Sequence, residues 1–435
     1  MHSVPLRPCV FVASVIILLL VNAVTVATTR LDDVNSRHVS RTCPLCPECH
    51  GCHCWNLTVN CARTNLTHVP DMSPEVQDLN FGYNQLERLD ASTFRGLSHL
   101  RKLNLEYNKI SYIEPGVFEN MSSLLRLTLR GNPVQKFDDF AFSPLSNLTF
   151  IDLSYVHATF NSMAFVNVTS LSTANFESNK FRAFPRFEYN STVLFPLLVT
   201  LSLALNLISE FDSEDMRGLE TLKILDLTGN QLNEFGERHF ISMPALEKLI
   251  LNGNYLTKIH REAFCHDRLK YLDLSVTKIP LHKTDLQRAF RCIPHLETLL
   301  LDRVLINLRY EQLFQNLTKL KRLTLASDEI SQMHGETFWK TNALKQLVLS
   351  GNPVILGSLN ESALLPVANT LKVLMAVNCR FTEMTEDFFP RPLWTKLSSI
   401  DLSANPFACN CQLVWFIRWL RSTNVTVLSY DDPGQ

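Results

Sequence analysis

Residues 100–110 read LRKLNLEYNKI, and residues 124–134 read LLRLTLRGNPV. The second stretch repeats the first after 24 residues, in the form L-x-x-L-x-L-x-x-N-x-L. The phrase returns along most of the chain. Clear copies begin at Leu198, Leu222, Leu246, Leu344 and Leu397, and weaker ones at Val76, Leu148, Leu171, Leu269, Leu296, Leu320 and Leu371. Fourteen copies therefore fill residues 76–407. Most spacings are 24 residues; those after Leu171, Leu269 and Leu344 lengthen to 27, and the one after Leu371 to 26.

A fixed period of this length predicts a stack of coils. The L-x-L core predicts a short strand with its leucines turned inward and the residues between them turned to the opposite face. One coil cannot bury its own apolar edge, so neighbours stack into a continuous core. Position nine is Asn84, Asn108, Asn132, Asn179, Asn206, Asn230, Asn254, Asn352 or Asn405. Its amide can satisfy backbone groups that the turn leaves buried. Ten residues after position nine stand Phe94, Phe118, Phe142, Phe240, Phe264, Phe314, Phe338 and Phe389, expected to fill the outer half of each coil. Amphipathic leucine-rich helices do not account for that fixed interval. The expected fold is an α/β solenoid: a horseshoe with a parallel sheet on its concave side.

The termini carry different signals. Arg7, an apolar run from Val10 to Val21, and small residues ending at Ala23 or Ala27 read as a signal peptide over 1–27. The run is near the lower limit for crossing a bilayer, so an uncleaved anchor is the alternative. Residues 28–42 form a polar leader without pattern, and no second apolar stretch of eighteen follows. N-x-S/T sequons at Asn56, Asn65, Asn120, Asn147, Asn167, Asn190, Asn316, Asn360 and Asn424 agree with export and glycosylation. With 41 Lys+Arg against 42 Asp+Glu, no global basic excess draws the chain to nucleic acid or anionic lipid.

A solenoid has two open ends that need covering. Residues 43–61 read CPLCPECHGCHCWNLTVNC, so 43–75 is expected to be a cysteine cap closed by disulfides in an oxidising compartment. Cys46, Cys49 and Cys52, with His50 and His53, also have zinc-ligand spacing, which is the competing reading. Cys265 and Cys292 follow phenylalanines on adjacent coils, and coil spacing of about 5 Å suits a bridge between them. Cys379 takes position nine and is expected to be a buried free thiol. Residues 408–435, with Cys409 and Cys411, read as an incomplete second cap.

Cysteine caps, 24-residue repeats and the segment NPFACNCQLVWFIRWL, residues 405–420 with Trp415, Phe416 and Trp419, together resemble a Toll-like receptor ectodomain, an extracellular leucine-rich-repeat family. Slit-type guidance proteins and jawless-fish antigen receptors share relatives of that segment. The resemblance covers Cys46 to the chain end. It implies innate immune sensing of microbial components by a horseshoe that dimerises, at the cell surface or in the endosomal lumen. It also implies the pairs Cys49–Cys54 and Cys52–Cys61, with Cys43 and Cys46 left open. The family's second cap holds four cysteines, of which Cys409 and Cys411 precede Gln435. The chain therefore reads as a fragment, without membrane span or signalling domain, whose cap is left open around its aromatic residues; a natural short form is the alternative. An adhesion or guidance protein binding another host protein is the alternative.

No catalytic constellation stands out: H-E-x-x-H, G-x-S-x-G and glycine-rich phosphate loops are absent from the sequence, so neither enzyme nor cofactor nor metal is expected. Two binding readings remain. Position two is basic at Arg101, Lys223, Lys270, Lys321, Lys345 and Lys372, a row that would track an anionic polymer unless Asp226 and Asp273 neutralise it. Position eight holds Tyr83, Tyr107 and Tyr155, with Gly131 as a gap, Arg126 and Arg130 beside them and Phe150 near. Exposed aromatics with Arg are typical of binding hot spots, and this patch is the expected ligand site. The plainer alternative is that the tyrosines only cover strand ends.

Overall fold

The computed structural model describes residues 43–46, 51–212, 214–236, 240–277, 283–304, 313–328, 330, 333, 335–353, 361–386, 388–408 and 410–428. The signal peptide, the leader, Cys49, Asn360 and Cys409 lie outside these.

The cap opens with an antiparallel hairpin, His53–Trp55 against Thr58–Asn60. Its second strand pairs in parallel with Asp78–Asn80, the strand of the first coil. A parallel ladder then runs through fourteen coils: Lys102–Asn104, Arg126–Thr128, Phe150–Asp152 and Thr173–Asn175 make coils 2 to 5, and Ser399–Asp401 makes coil 14. The register sets Leu79 against Leu103, Leu103 against Leu127, and Leu127 against Ile151. Each strand is thus centred on motif position four, which is buried, with positions three and five facing outward. The position-six leucine lies just past the strand, yet its amide still bonds the next coil: Leu105 N–H donates to Thr128 C=O at 2.9 Å.

Longer coils put their extra residues on the convex side. The coil from Leu269 carries the helix Lys283–Arg291, and the coil from Leu371 carries Arg391–Lys396. The coil from Leu344 carries Glu361–Leu364, and that from Leu171 a hairpin of Glu188–Tyr189 with Thr192–Val193. A helix advances only about 1.5 Å per residue against about 3.3 Å in extended chain, so it absorbs added length without lengthening the coil.

Two ladders fill the core. All eight expected phenylalanines are buried, and neighbouring rings meet directly: Phe118–Phe142 at 5.8 Å and Phe314–Phe338 at 6.4 Å. The asparagines tie coil to coil. Asn132 Nδ2 donates to Leu129 C=O in its own coil and to Leu105 C=O in the preceding one, both at 2.8 Å. Its Oδ1 accepts from Ile110 N–H at 3.1 Å. Cys379 holds the same position as a buried free thiol whose Sγ donates to Leu349 C=O at 3.2 Å, and burial pushes its pKa up.

Cys265–Cys292 forms, with Cα atoms 4.3 Å apart, as does Cys52–Cys61 at 4.3 Å. The expected Cys49–Cys54 pair does not, because Cys54 is bridged to Cys43 with Cα atoms 5.3 Å apart. Residues 43–46 are seated on the cap by burial of Leu45 and Cys46 and by Ser73 N–H donating to Leu45 C=O at 2.8 Å. That seating brings Cys43 to the hairpin. Cys46 is disulfide-bonded too, so neither it nor Cys52 is available as a zinc ligand. At the other end Cys411, a cysteine of the incomplete second cap, is a free, exposed thiol. The cap aromatics are nevertheless covered: Trp394 packs on Trp419 at 4.8 Å, and Trp415 Nε1–H donates to Met384 C=O at 2.8 Å. The helix Val414–Ser422 presents its apolar face to the last coil and covers that end of the core.

Candidate functional site

Position eight has the same backbone in every coil. Its φ lies between 48° at Tyr107 and 75° at Gly351, the left-handed region. Non-glycine residues there cost about 1–2 kcal/mol, and Gly131, Gly229, Gly253 and Gly351 avoid that cost. Tyr83, Tyr107 and Tyr155 do not. Their side chains leave the strand ends along one edge of the sheet, where one coil's residue reaches over the next.

There the rings form a ladder. Tyr83 stacks on Tyr107 with centroids 4.9 Å apart, and both are about 40% exposed. Tyr107 then lies across Gly131, where a Cβ would come within 2.6 Å of the ring. Gly131 is thus a seat for Tyr107 and not a gap in the row. Arg130 links onward: Nε donates to Tyr107 Oη at 3.1 Å, Nη1 donates to Ser154 Oγ at 2.8 Å, and the guanidinium sits 4.7 Å from the Tyr155 ring centre. Tyr155 O–H donates to Glu177 at 3.0 Å, and Glu177 approaches Arg130 at 4.0 Å. Burial disfavours the Arg130 charge, but the Tyr107 hydroxyl, Asp152 and Glu177 outweigh it and raise its pKa. At the cap end Arg63 covers Tyr83 at 4.1 Å.

Six residues had been expected to form one patch; the structure joins Tyr83, Tyr107, Arg130 and Tyr155 and sets Arg126 and Phe150 apart. That pair stacks at 3.8 Å from strand positions on the concave face. Arg63, Ser154 and Glu177 were missed. A signal for Arg63 exists: the cap strand pairs Thr58 with Asp78, and continuing that register sets Arg63 opposite Tyr83.

The basic row is not a continuous basic track. Lys270 pairs with Glu247 and Lys321 with Glu297, each at 2.8 Å, and Lys372 Nζ donates to Lys396 C=O at 3.1 Å. Glu247 and Glu297 themselves occupy position two, so the row alternates in sign from Lys223 to Lys321. Lys270 holds the Glu247 carboxyl below its ordinary range. Asp226 and Asp273, expected as the neutralising partners, instead accept from backbone N–H two residues on: Thr228 and Ser275, each at 2.9 Å. These aspartates shape turns. Among the described residues no cluster of three or more His, Cys, Asp or Glu suits a metal ion, and no helix is long and apolar enough to cross a membrane.

The sequon side chains Asn56, Asn65, Asn120, Asn147, Asn167, Asn190 and Asn424 are exposed. Asn316 differs, because its Nδ2 is buried without a hydrogen-bond partner. Asn120, Asn147, Asn167 and Asn190 sit late in their coils, on the segments returning to the next strand and away from position eight.

The chain matches the leucine rich repeat family over residues 74–134, 196–256, 220–279, 244–306 and 294–354, which together make up about half of it. It is 30% identical over 139 residues to Toll-like receptor 5 of Homo sapiens; the match covers 31% of this chain and 15% of that protein. Among solved structures, a leucine-rich-repeat protein of Leptospira interrogans superimposes with TM-score 0.65 at 20% identity, covering 85% of this chain and 95% of that one. A complex of TLR13 with single-stranded RNA aligns at 15% identity with TM-score 0.39, covering 86% and 96%. Repeat, ladder, register and matched residues agree: the chain belongs to the leucine-rich repeat family, with repeats similar to those of Toll-like receptor ectodomains.

Proposed function

We propose that this chain is the extracellular ligand-binding ectodomain of a Toll-like innate immune receptor, and that the tyrosine–arginine ladder of coils 1 to 4 is its recognition surface. The chain enters the secretory pathway by its signal peptide and carries glycans on the exposed sequons, of which Asn120, Asn147, Asn167 and Asn190 sit away from the position-eight edge. The observation that carries the reading is the ladder itself. Tyr83 and Tyr107 are held in left-handed backbone and stacked on each other, so little freedom remains to be lost when a partner covers them. Arg130 is tied by three neighbours and lends direction and charge. Rigid aromatics beside a fixed arginine are what binding hot spots are made of. A leucine-rich solenoid is typically a binding scaffold without enzymatic activity, and the turn-forming role of the concave aspartates fits that.

The test is a titration of secreted wild type, Tyr107→Ala, Arg130→Ala, Lys321→Ala and Lys345→Ala against bacterial lysate separated into protein, lipid and nucleic-acid fractions. Tyr107→Ala and Arg130→Ala should each lose about 2 kcal/mol of binding to the active fraction. The lysine variants should stay near wild type. Binding carried by the nucleic-acid fraction, abolished by added salt and by the lysine changes, would sink this assignment. Binding to host-cell protein alone would favour an adhesion role.

A further inference from the structure

Coil 4 departs from its neighbours just after Tyr155. Position eleven is a large buried aliphatic residue in most coils, as in Leu86, Ile110, Val134, Ile208, Leu232 and Leu256. In coil 4 it is Ala158. The missing side chain leaves a void of about 10 Å³ among Phe137, Phe165 and Phe176, and above it a groove of about 600 Å³ opens between coils 4 and 5. Phe160, Phe181 and Phe184 floor the groove, and Phe160 is half-buried, held edge-on to Phe176 and Phe187. Its rim carries His157, Lys180, Arg182 and Arg186 and no acidic residue. Arg186 is paired with Asp215 at 3.0 Å. Lys180 and Arg182 are exposed and make no ion pair within 4.0 Å among the described residues. His157 and Lys180 both hold left-handed backbone, φ 66° and 63°, a conformation non-glycine residues adopt at a cost.

We infer that this groove is a binding site for a small anionic amphiphile, whose alkyl chain lies on the phenylalanine floor and whose charged head meets Lys180 and Arg182. The volume falls in the usual range for small-molecule sites, roughly 300–1,000 Å³, with apolar walls and a few convergent polar groups. The charge is one-sided: an anionic head supplies the partner that Lys180 and Arg182 lack, whereas a neutral amphiphile leaves them solvated and adds only the burial of its chain. The site is separate from the tyrosine ladder, and its test does not depend on that reading.

The experiment is calorimetric titration of the full chain with laurate below its micelle concentration, with methyl laurate, and with lauroyl lysophosphatidic acid. Laurate should bind one per chain, and methyl laurate roughly tenfold more weakly. If the lysophosphatidic acid binds more tightly than laurate, the natural head is a phosphate; if less tightly, it is a carboxylate. Lys180→Glu with Arg182→Glu should cost roughly tenfold in laurate affinity. Ala158→Leu should weaken binding, because its added carbons exceed the void of about 10 Å³ and project toward the groove that Ala158 lines. Tyr107→Ala should bind laurate as wild type does, which separates failure here from failure of the ladder. Methyl laurate binding as well as laurate, unaltered binding by Ala158→Leu, or no binding by any of the three probes would each overturn the inference.

Discussion

Coils 3 and 11 put different residues at the ninth position of the same turn. In coil 3 it is Asn132, whose amide donates to Leu129 in its own coil and to Leu105 in the preceding one and accepts from Ile110 there, so two hydrogen bonds join the coils. In coil 11, with strand Arg322–Thr324, it is Asp328. One carboxyl oxygen does the acceptor's work, taking Val304 N–H at 2.6 Å. The other is buried without a hydrogen-bond partner where the asparagine would donate. Burial, the largest influence, raises the Asp328 pKa from 3.8 to about 8. A carboxylic acid that keeps its proton regains a donor and so imitates the amide. The position thus requires a side chain that donates and accepts at once, and the aspartate meets the requirement only while neutral.

The contrast breaks most visibly at Asn132. Asn132→Ala strands the Leu129 carbonyl and the Ile110 N–H, while Leu105 C=O keeps Asn108 Nδ2 at 3.0 Å, and each orphaned group costs about 1–3 kcal/mol. We expect a loss of about 3 kcal/mol or more in urea denaturation of the purified chain, with reduced secretion. A loss below about 1 kcal/mol would mean that the turn finds other partners.

Asp328→Asn sharpens the same comparison from the other side. Folded, Asp328 keeps its proton up to about pH 8; unfolded, it releases it near its ordinary pKa of 3.8. Between those values the folded state binds the extra proton, so stability falls as pH rises through that window and levels off above it. The asparagine variant loses this dependence. It should exceed wild type by about 1–3 kcal/mol at pH 8.5, with the margin shrinking toward pH 5. Urea midpoints at the two pH values decide it; a margin independent of pH would show that Asp328 is ionised throughout.

Gly131→Ala probes position eight. The new Cβ would sit 2.6 Å from the Tyr107 ring, on a backbone with φ 68°. We expect a cost of about 1–2 kcal/mol in stability, with Tyr107 displaced from Arg130. Gly253→Ala, where nothing lies closer than 3.5 Å, should carry the backbone cost alone. Equal losses of ligand affinity in the two variants would show that the tyrosine ladder is not what the ligand reads. Lys321→Ala should be the mildest change, since an exposed pair such as Lys321–Glu297 contributes about 0–1 kcal/mol. A thermal midpoint within a degree or two of wild type is the expected result.

The parts of this molecule that repeat were open to reading from the chain. Each leucine, asparagine and phenylalanine has the same task in coil after coil, and repetition exposes the task without coordinates. Cys265–Cys292 was readable for the same reason, since stacking fixes the distance between adjacent coils. Cap pairing was not, because six cysteines within nineteen residues are all near one another along the chain. Choosing Cys43 for Cys54 depends on how Leu45 and Cys46 are buried. The neutralising partners of the basic row were misassigned because only its cations were counted, and Glu247 and Glu297 hold the same position.

By itself, then, the sequence determined the solenoid, its parallel sheet, its inward leucines, its asparagine and phenylalanine ladders and the bridge between neighbouring coils. These follow from a period and from the need to bury one apolar edge per coil. Tertiary structure alone decided which side chains meet across coils: Arg63 over Tyr83, Arg130 between Tyr107 and Tyr155, Cys43 at Cys54, and the groove that Ala158 leaves open. Such contacts join residues eleven or more positions apart or hang on a single missing side chain, and each depends on the direction a side chain takes from its backbone. Periodicity specifies the average coil, whereas the candidate sites arise where individual coils depart from it.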